Sequence, residues 1–317
     1  MKKICIFFFH GPFAHFYTLC YIWNMAKTHA KKRFGQNFLT DEHVLDEIVN
    51  ACGASADDLV LEIGPGKGVL TKRLGERAGR VIAVEIDTDL QPALDAALAG
   101  TDNVTVLYQD ILKTDLTRLR EAENDGKPFL VVANLPYYIS TPVIMKLLQD
   151  EVPPRACTVM VQKELALRMA ASPGNKDYGE LSVVAQYYAN PEVVCTVPPS
   201  AFYPQPKVDS CVLRLVPHEA PPVTPRDRQF FFRVVKEAFA HRRKTLVNSL
   251  SSCGDTRLTK DRIIEALQKK DIPLDVRAER LSIEQFAILA DLLGYTAKSK
   301  FPPTAPFAAS DDFRLPM

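Results

Sequence analysis

The chain has 317 residues, enough for about two domains of typical size. Hydrophobic residues make up 47% of it and charged residues 24%, which fits a protein with a packed core and excludes a collagen-like or low-complexity chain. Its formal net charge is +1, so any binding of nucleic acid must depend on local basic patches and not on a global positive field.

The cysteines and histidines indicate neither a disulfide framework nor a metal site. The seven cysteines are widely spaced and include no C-x-x-C pair, and the six histidines form no cluster with cysteines or acids. This pattern is typical of free thiols in a reducing compartment. We expect no metal ion in this protein.

The first 24 residues differ in composition from the rest of the chain. They begin with lysines and continue as an aromatic, largely apolar stretch that a Gly-Pro pair and two histidines interrupt. Three explanations are open: translation from upstream of a natural start at Met25, a targeting segment, or a structural extension. We favour the start at Met25, and with it a cytoplasmic protein that does not enter a membrane.

Short apolar runs alternate with helical segments over residues 57–215. In chain order, the predicted strands are 59–63, 80–84, 104–108, 129–133, 157–161, 193–197 and 208–215. The first five are separated by stretches long enough for a helix, such as 90–98 and 143–148, and this indicates a parallel sheet covered on both faces. The last two have no room for a helix between them, which predicts an antiparallel pair at the end of the sheet. We therefore expect an α/β domain over residues 25–217.

After Pro217 the pattern becomes helical. Prolines at 221, 222 and 225 indicate a linker, and three amphipathic stripes come after it. The stripes are Phe230, Val234, Val235 and Ala238, then Ile263, Ile264 and Leu267, then Phe286, Leu289, Ala290 and Leu293. They predict a small all-helical domain over 218–295, and the proline-containing segment 296–317 is expected to be a disordered tail.

A glycine-rich loop comes directly after the first predicted strand, with the sequence E-I-G-P-G-K-G from Glu62 to Gly68. Glycines allow a tight turn and a close approach of backbone to ligand. Glu85 ends the next strand, 21 residues after Gly64, where a carboxylate can accept hydrogen bonds from both hydroxyls of a ribose. Asp110 ends the third strand and could hold the exocyclic amine of an adenine. The glycines follow the pattern G-x-G-x-G and not the G-x-G-x-x-G dinucleotide fingerprint. The glycine loop, Glu85 and Asp110 together therefore favour S-adenosylmethionine over NAD as the cofactor.

A second motif, Asn134-Leu135-Pro136-Tyr137, comes after the fourth strand. The N6 amine of adenine is a poor nucleophile because its lone pair is delocalised into the ring. Hydrogen bonds from that amine to the Asn134 side-chain carbonyl and the Pro136 backbone carbonyl would localise the lone pair, and Tyr137 could stack on the base. The amine becomes acidic once it carries the methyl group, so no general base is required. A dehydrogenase function is disfavoured, because a dehydrogenase usually needs a histidine as proton carrier and no histidine lies at a predicted strand end.

Several segments together are similar to one known family. They are 34–39 (F-G-Q-N-F-L), the Glu62 to Gly68 loop, Asn134 to Tyr137, 162–164, 178–179, Phe202 to Ser210 and Arg242 to Leu246. On these segments the chain resembles the bacterial small-subunit ribosomal RNA adenine N6-dimethyltransferases (the KsgA/RsmA family), from about residue 31 to 293. The resemblance implies a Rossmann-like class I S-adenosylmethionine-dependent methyltransferase sheet with a small C-terminal all-helical domain.

The resemblance also implies roles for particular residues. S-adenosylmethionine would contact Asn37, Leu39, Gly64, Glu85, Asp110 and Asn134. Phe202 would pack against the target base opposite Tyr137. The enzyme would place two methyl groups on N6 of each of two adjacent adenosines in the 3′-terminal hairpin loop of 16S ribosomal RNA, with a role in small-subunit biogenesis.

Basic residues outside these motifs are candidates for RNA contacts. They are Arg33, Lys207, Arg242, Arg243 and Lys244, of which the last three are expected to open a helical segment. Each could meet a phosphate or be a solvated surface charge. With a net charge near zero, we expect affinity to depend on shaped 16S ribosomal RNA within the assembling small subunit. We expect the enzyme to be a monomer.

Two other functions remain open. A related enzyme acting on large-subunit ribosomal RNA and conferring antibiotic resistance would share the fold and a similar second motif, although the segments Phe202 to Ser210 and Arg242 to Leu246 favour the small subunit. The second is a binding protein that monitors ribosome assembly, in which methyl transfer is secondary.

Overall fold

The computed structural model describes residues 35–294, which divide into two units. The first contains residues 35–166 and Pro191–Pro217, and the second contains Leu167–Asn190 and residues 218–294. The predictions for residues 1–24, for Arg33 and for the tail lie outside the described part. No helix within it is long and apolar enough to cross a membrane.

The first unit is built on a seven-stranded sheet and a separate two-stranded one. The strands are β1 (Phe38–Leu39), β2 (Leu59–Ile63), β3 (Arg80–Glu85), β4 (Val104–Tyr108), β5 (Leu130–Asn134), β6 (Ala156–Gln162), β7 (Ala189–Val197), β8 (Phe202–Tyr203) and β9 (Ser210–Pro217). The large sheet has the order β4-β3-β2-β5-β6-β9-β7, and β1 pairs with β8. Strands β2 to β6 are parallel, while β9 runs antiparallel to β6. The fold class predicted from the sequence is thereby confirmed.

Helices alternate with the parallel strands. They are α1 (Glu42–Cys52), α2 (Val69–Gly75), α3 (Gln91–Ala97), α4 (Leu116–Asn124), α5 (Ser140–Leu148) and the start of α6 (Lys163–Ala170). All five residues of β2 are buried, as expected for a strand with both faces covered. Helix α1 shows how the sequence sets helix ends. Asp41 caps its first turn by accepting from the Val44 N–H, and Gly53 ends it in the left-handed conformation.

The strand order creates a crevice between β2 and β5. The chain passes from β2 outward through β3 to β4, then returns to place β5 on the other side of β2. At such a switch point the loops after the two central strands diverge, and open α/β sheets bind ligands there. The glycine loop after β2 and Asn134 at the end of β5 both lie at this edge.

The second unit is helical. It contains α7 (Glu180–Tyr188), α8 (Arg228–Phe239), α9 (Leu246–Leu250), α10 (Lys260–Gln268) and α11 (Ile283–Gly294). The three predicted stripes lie in its core, with every member buried except the half-buried Ile264. The unit also includes Leu167–Asn190, which the sequence placed in the first domain. The reason is packing: Tyr178 is fully buried in this core, and its hydroxyl donates to the Leu281 carbonyl at 3.0 Å.

Candidate active site

A cavity of about 370 Å³ lies at the carboxyl ends of the central strands, within the size range of small-ligand pockets. Residues from both sequence motifs and from the segment 35–40 line it. Its lining includes every residue predicted for cofactor binding and catalysis: Asn37, Leu39, Gly64, Glu85, Asp110, Asn134, Pro136, Tyr137 and Phe202. The structure therefore brings together in one cavity side chains that are up to 165 positions apart in the sequence.

The glycine loop presents backbone to this cavity. Gly64 and Gly66 have φ angles of +73° and +59°, a region that residues with a Cβ rarely adopt. A Cβ on Gly66 would also lie 3.2 Å from the Phe38 ring. Both positions therefore require glycine, and the loop can approach a ligand closely.

Glu85 is held in place by two backbone amides. Its Oε2 accepts from the Gly66 N–H at 3.1 Å and its Oε1 from the Asp87 N–H at 2.8 Å. The side chain is buried, and burial raises the pKa of its carboxyl. The two amide bonds fix the orientation of the carboxylate and leave lone pairs on each oxygen for hydroxyl donors.

Glu62 is a cavity residue that the sequence interpretation did not assign. It is 1% exposed, and among the described residues its Oε2 has no hydrogen-bond partner. Burial raises the pKa of its carboxyl to about 8. A buried polar atom without a partner is costly, so this oxygen has an unused capacity to take part in a hydrogen bond in the cavity. The sequence feature that could have identified Glu62 is its place as the acid at the start of the E-I-G-P-G-K-G motif.

Asp110 comes after β4 and lies half-buried at the cavity wall. Its Oδ1 accepts from the Leu112 N–H at 2.9 Å, which caps the short turn Ile111–Lys113. The other oxygen is 4.0 Å from the Lys113 ammonium. The capping bond fixes the carboxylate while Oδ2 keeps capacity to accept from an amine.

The segment 35–40 forms one wall of the cavity and is fixed at two places. Leu39 pairs with Phe202 in the β1–β8 ladder. On the other side, the Gln36 amide donates to the Asp87 carboxylate at 3.0 Å. This segment thus connects the loop after β3 to β8, an arrangement that the sequence did not predict.

Asn134 is the last residue of β5, and its amide has a defined orientation. The Nδ2 donates to the Asn37 carbonyl at 3.0 Å. An amide group that donates through nitrogen on one side presents its Oδ1 on the other. The Asn134 side chain is therefore oriented as a hydrogen-bond acceptor.

The role predicted for the Pro136 carbonyl does not agree with the geometry. This oxygen accepts from the Ile139 N–H at 3.1 Å and from the Ser140 hydroxyl at 3.1 Å. Both of its lone pairs are thereby used, one by the turn Tyr137–Ile139 and one by the first residue of α5. The Leu135 carbonyl, one residue earlier, receives no hydrogen bond from the residues that the structure describes.

The two predicted base-contacting rings differ in exposure. Tyr137 is half-buried, and its hydroxyl lies 2.8 Å from the Ser210 Oγ. Phe202 is only 3% exposed and packs into the hydrophobic core of the first unit. The hydroxyl of Tyr137 is anchored, whereas Phe202 offers the cavity a small apolar surface.

The predicted RNA-contacting residues that the structure describes do not line the cavity. Lys207 is exposed on the first unit. On the second unit, Arg242, Arg243 and Lys244 are exposed in a turn between α8 and α9, not in a helix as expected. Arg242 donates to the Lys176 carbonyl at 2.5 Å, so it also holds its own unit together. Over residues 35–294, no group of three or more His, Cys, Asp or Glu could hold a metal ion.

Comparison with known proteins identifies the family. The family described as "Ribosomal RNA adenine dimethylase" matches residues 27–294. The "Ribosomal RNA small subunit methyltransferase A" of Lachnoclostridium phytofermentans is 48% identical over 83% of this chain and 91% of its own length.

Two solved structures resemble the chain at lower identity. A dimethyladenosine transferase from Plasmodium falciparum is 28% identical with a TM-score of 0.66, covering 80% of this chain and 95% of its own. The 23S rRNA methyltransferase ErmE is 27% identical with a TM-score of 0.65, covering 82% and 100%. The predicted enzyme class and its methyl donor, S-adenosylmethionine, are confirmed by the family match. The chain belongs to the ribosomal RNA adenine dimethylase family.

Proposed function

We propose that this enzyme transfers methyl groups from S-adenosylmethionine to N6 of two adjacent adenosines in the 3′-terminal hairpin loop of 16S ribosomal RNA, giving dimethyladenosines during small-subunit assembly. One observation carries the adenine chemistry: the Asn134 amide is oriented by Asn37 so that its Oδ1 is presented as an acceptor. The small-subunit assignment is supported by the 48% identity to a relative named for that activity.

The cofactor would be held by the glycine loop and the strand ends. S-adenosylmethionine bound there would supply an electrophilic methyl carbon. Glu85 would accept hydrogen bonds from the ribose hydroxyls, and Asp110 would accept from the adenine amine of the cofactor. Asn37 and Leu39 would contact the cofactor from the segment 35–40. The buried Oε2 of Glu62, which has no partner among the described residues, fits a hydrogen-bonding group in the same cavity.

The turn after β5 would position and activate the target amine. The Asn134 Oδ1 would accept from the N6 amine of the target adenosine. We assign the second acceptor to the Leu135 carbonyl in place of the Pro136 carbonyl, because the latter already accepts two hydrogen bonds. Hydrogen bonds from the amine to these two acceptors would localise its lone pair on N6, so that the lone pair is available to attack the methyl carbon. Tyr137 would stack on one face of the base, and the ring of Phe202 would pack against the base opposite Tyr137.

A second candidate substrate is large-subunit ribosomal RNA. The observation in its favour is the likeness to ErmE, which is named as a 23S rRNA methyltransferase. Enzymes of either substrate class can therefore have this fold. Experiment has to decide between large-subunit and small-subunit ribosomal RNA as the substrate.

The decisive experiment uses unmethylated small and large subunits, each incubated with the protein and S-adenosylmethionine carrying a labelled methyl group. Digestion and nucleoside analysis then identify the product, and reverse-transcription stops map its position. We expect dimethyladenosine at two adjacent positions near the 3′ end of 16S ribosomal RNA. Label confined to the large subunit would overturn the proposal in favour of the ErmE-like activity.

We further propose that the enzyme is monomeric and cytoplasmic. Light scattering of the purified full chain measures the first property, and fractionation of cells expressing the gene from its own start measures the second. Intact mass of the same cellular protein would show whether translation begins at Met1 or Met25.

A further inference from the structure

Exposed apolar side chains of the first unit gather where the cavity opens to solvent. Five large hydrophobic side chains of the described residues both line the cavity and are exposed: Val69, Ile86, Leu112, Tyr138 and Tyr203. Apolar surface grouped in one place marks an interaction site on a protein. The two tyrosines are the most exposed of the five, at 56% for Tyr138 and 71% for Tyr203. The mouth of the cavity therefore offers two aromatic rings to an occupant outside it.

Each exposed tyrosine directly follows a ring that would contact the target base. Tyr138 comes after Tyr137 in the turn after β5, and Tyr203 comes after Phe202 in β8. Successive side chains of a strand point to opposite faces, which explains why Phe202 is buried while Tyr203 is exposed. The site thus has an inner pair of rings, Tyr137 and Phe202, and an outer pair, Tyr138 and Tyr203.

Both members of the outer pair adjoin the segment 35–40. A Cβ added to Gly35 would lie 3.5 Å from Cδ1 of the Tyr138 ring, so this ring lies against the glycine. Tyr203 pairs with Phe38 in the β1–β8 ladder. Within residues 35–294, neither ring of the outer pair stacks on another ring and neither hydroxyl forms a hydrogen bond. The segment therefore places both rings at the mouth of the cavity and leaves their exposed faces to an occupant.

We propose that the outer pair binds the base next to the target adenosine in the ribosomal RNA, while the inner pair holds the target base. The inference rests on the proposed function, in which the substrate has two adjacent adenosines in a hairpin loop. A base that leaves its stack to enter an active site leaves its neighbour with an uncovered face. Aromatic rings cover such a face without hydrogen bonds to the edge of the base. Consecutive residues of the protein thereby contact consecutive nucleotides of the RNA.

The first test measures kcat/KM for methylation of unmethylated small subunits by the full chain that carries both Tyr138→Ala and Tyr203→Ala. Because stacking on the outer pair is lost, we expect kcat/KM to fall about 5- to 150-fold. Replacing both tyrosines by Phe keeps the rings and should restore most of this loss. Val152→Ala is the matched control, because it removes an exposed apolar side chain of the same unit outside the cavity. Thermal unfolding of each variant checks the fold, which we expect to persist because these side chains are exposed.

A second measurement separates binding of the neighbouring base from a structural effect of the double alanine variant. Small subunits are reconstituted with 16S ribosomal RNA in which one of the two adjacent adenosines is replaced by an abasic residue and the other is the target, in both arrangements in turn. The outer pair lies on one side of the target, so in one arrangement the base that it binds is missing. There we expect the double variant and the wild type to differ by less than about twofold, whereas the other arrangement keeps the full difference.

The proposal is overturned if the double alanine variant has the wild-type kcat/KM on intact subunits, or if its defect is equal in both abasic arrangements. An equal defect would mean that the tyrosines support the cavity wall or contact another part of the subunit. Both outcomes leave the proposed function intact, because the wild-type protein still methylates 16S ribosomal RNA. A wild-type protein that methylates neither adenosine of intact subunits would refute the proposed function itself.

Discussion

The Tyr137 hydroxyl lies 2.8 Å from the Ser210 hydroxyl oxygen, and Ser210 is completely buried at the first position of β9. The bond ties the turn after β5 to a strand two places away in the sheet. Burial raises the pKa of Tyr137, so its hydroxyl stays protonated at neutral pH. Ser210 therefore fixes the direction of the ring that we propose to stack on the target base.

The contributions of the Tyr137 ring and hydroxyl can be separated by substitution. Tyr137→Ala should lower kcat/KM about 10- to 100-fold, because base stacking on an aromatic side chain contributes roughly 1–3 kcal/mol. Tyr137→Phe keeps the ring and loses one hydrogen bond, so a decrease of about 2- to 10-fold is expected. Methylation of small subunits under single-turnover conditions measures both effects.

Ser210→Ala supplies the control for the role of the hydroxyl. If Ser210 acts through Tyr137, the double variant Tyr137→Phe with Ser210→Ala should be no slower than the slower single variant. Effects that multiply would mean that Ser210 has a separate role and would contradict the positioning assignment.

Asn134→Ala tests the activation of the amine. Removing one oriented acceptor should lower kcat about 10²- to 10³-fold, in line with the loss of a single preorganised hydrogen-bonding group in other enzymes. Binding to the small subunit should persist in part, since Asn134 lies in the cavity and not on an exposed basic surface. Rates come from labelled methyl transfer and affinities from sedimentation with subunits. Methylation at the wild-type rate would show that the amine is activated elsewhere.

Glu85→Ala should weaken binding of S-adenosylmethionine by roughly 1.5–3 kcal/mol, because the lost hydrogen bonds are to a charged acceptor. Calorimetric titration with the cofactor measures the change. Glu123→Ala removes the same charge from an ion pair with Arg80 and lies outside the cavity, so it should leave the affinity unchanged. Wild-type affinity in Glu85→Ala would place the ribose at another residue.

The large sheet could be predicted because parallel strands are buried on both faces and appear as apolar runs. The run 59–63 coincides with β2, all of whose residues are buried. The β1–β8 pair could not be predicted, because each strand has only two residues and the paired Leu39 and Phe202 lie far apart in the sequence. Such short strands have no periodicity, and only the tertiary structure brings them together.

The candidate site shows the same division between local and long-range information. Strand ends located Glu85, Asp110 and Asn134, since consecutive parallel strands end at one edge of a sheet. Whether the Pro136 carbonyl is free to accept from a ligand depends on the turn that brings the Ser140 hydroxyl within hydrogen-bonding distance of it. A sequence motif does not show which backbone carbonyls already accept hydrogen bonds. The burial of Glu62 likewise depends on packing from several segments of the chain.

The raised pKa of Glu62 predicts how stability varies with pH. The carboxyl has a pKa of about 8 in the folded protein against 4.5 for the unperturbed group. Between these values the unfolded chain is ionised while the folded chain keeps the proton, so the unfolded state binds fewer protons. Stability from this residue is therefore lost as pH rises through that window, and the change is complete above the folded pKa.

Glu62→Gln removes this titration while keeping the shape of the side chain. The difference in Tm between the variant and the wild type should therefore rise in favour of the variant from about pH 5 to about pH 8, by an amount on the order of 10 °C. Thermal unfolding of both proteins without cofactor, in buffers of matched ionic strength, measures it. Other titrating groups are common to both proteins and cancel in the difference. A difference that stays constant across this range would mean that Glu62 titrates normally, and that its oxygen is reached by solvent or by a donor within the folded chain.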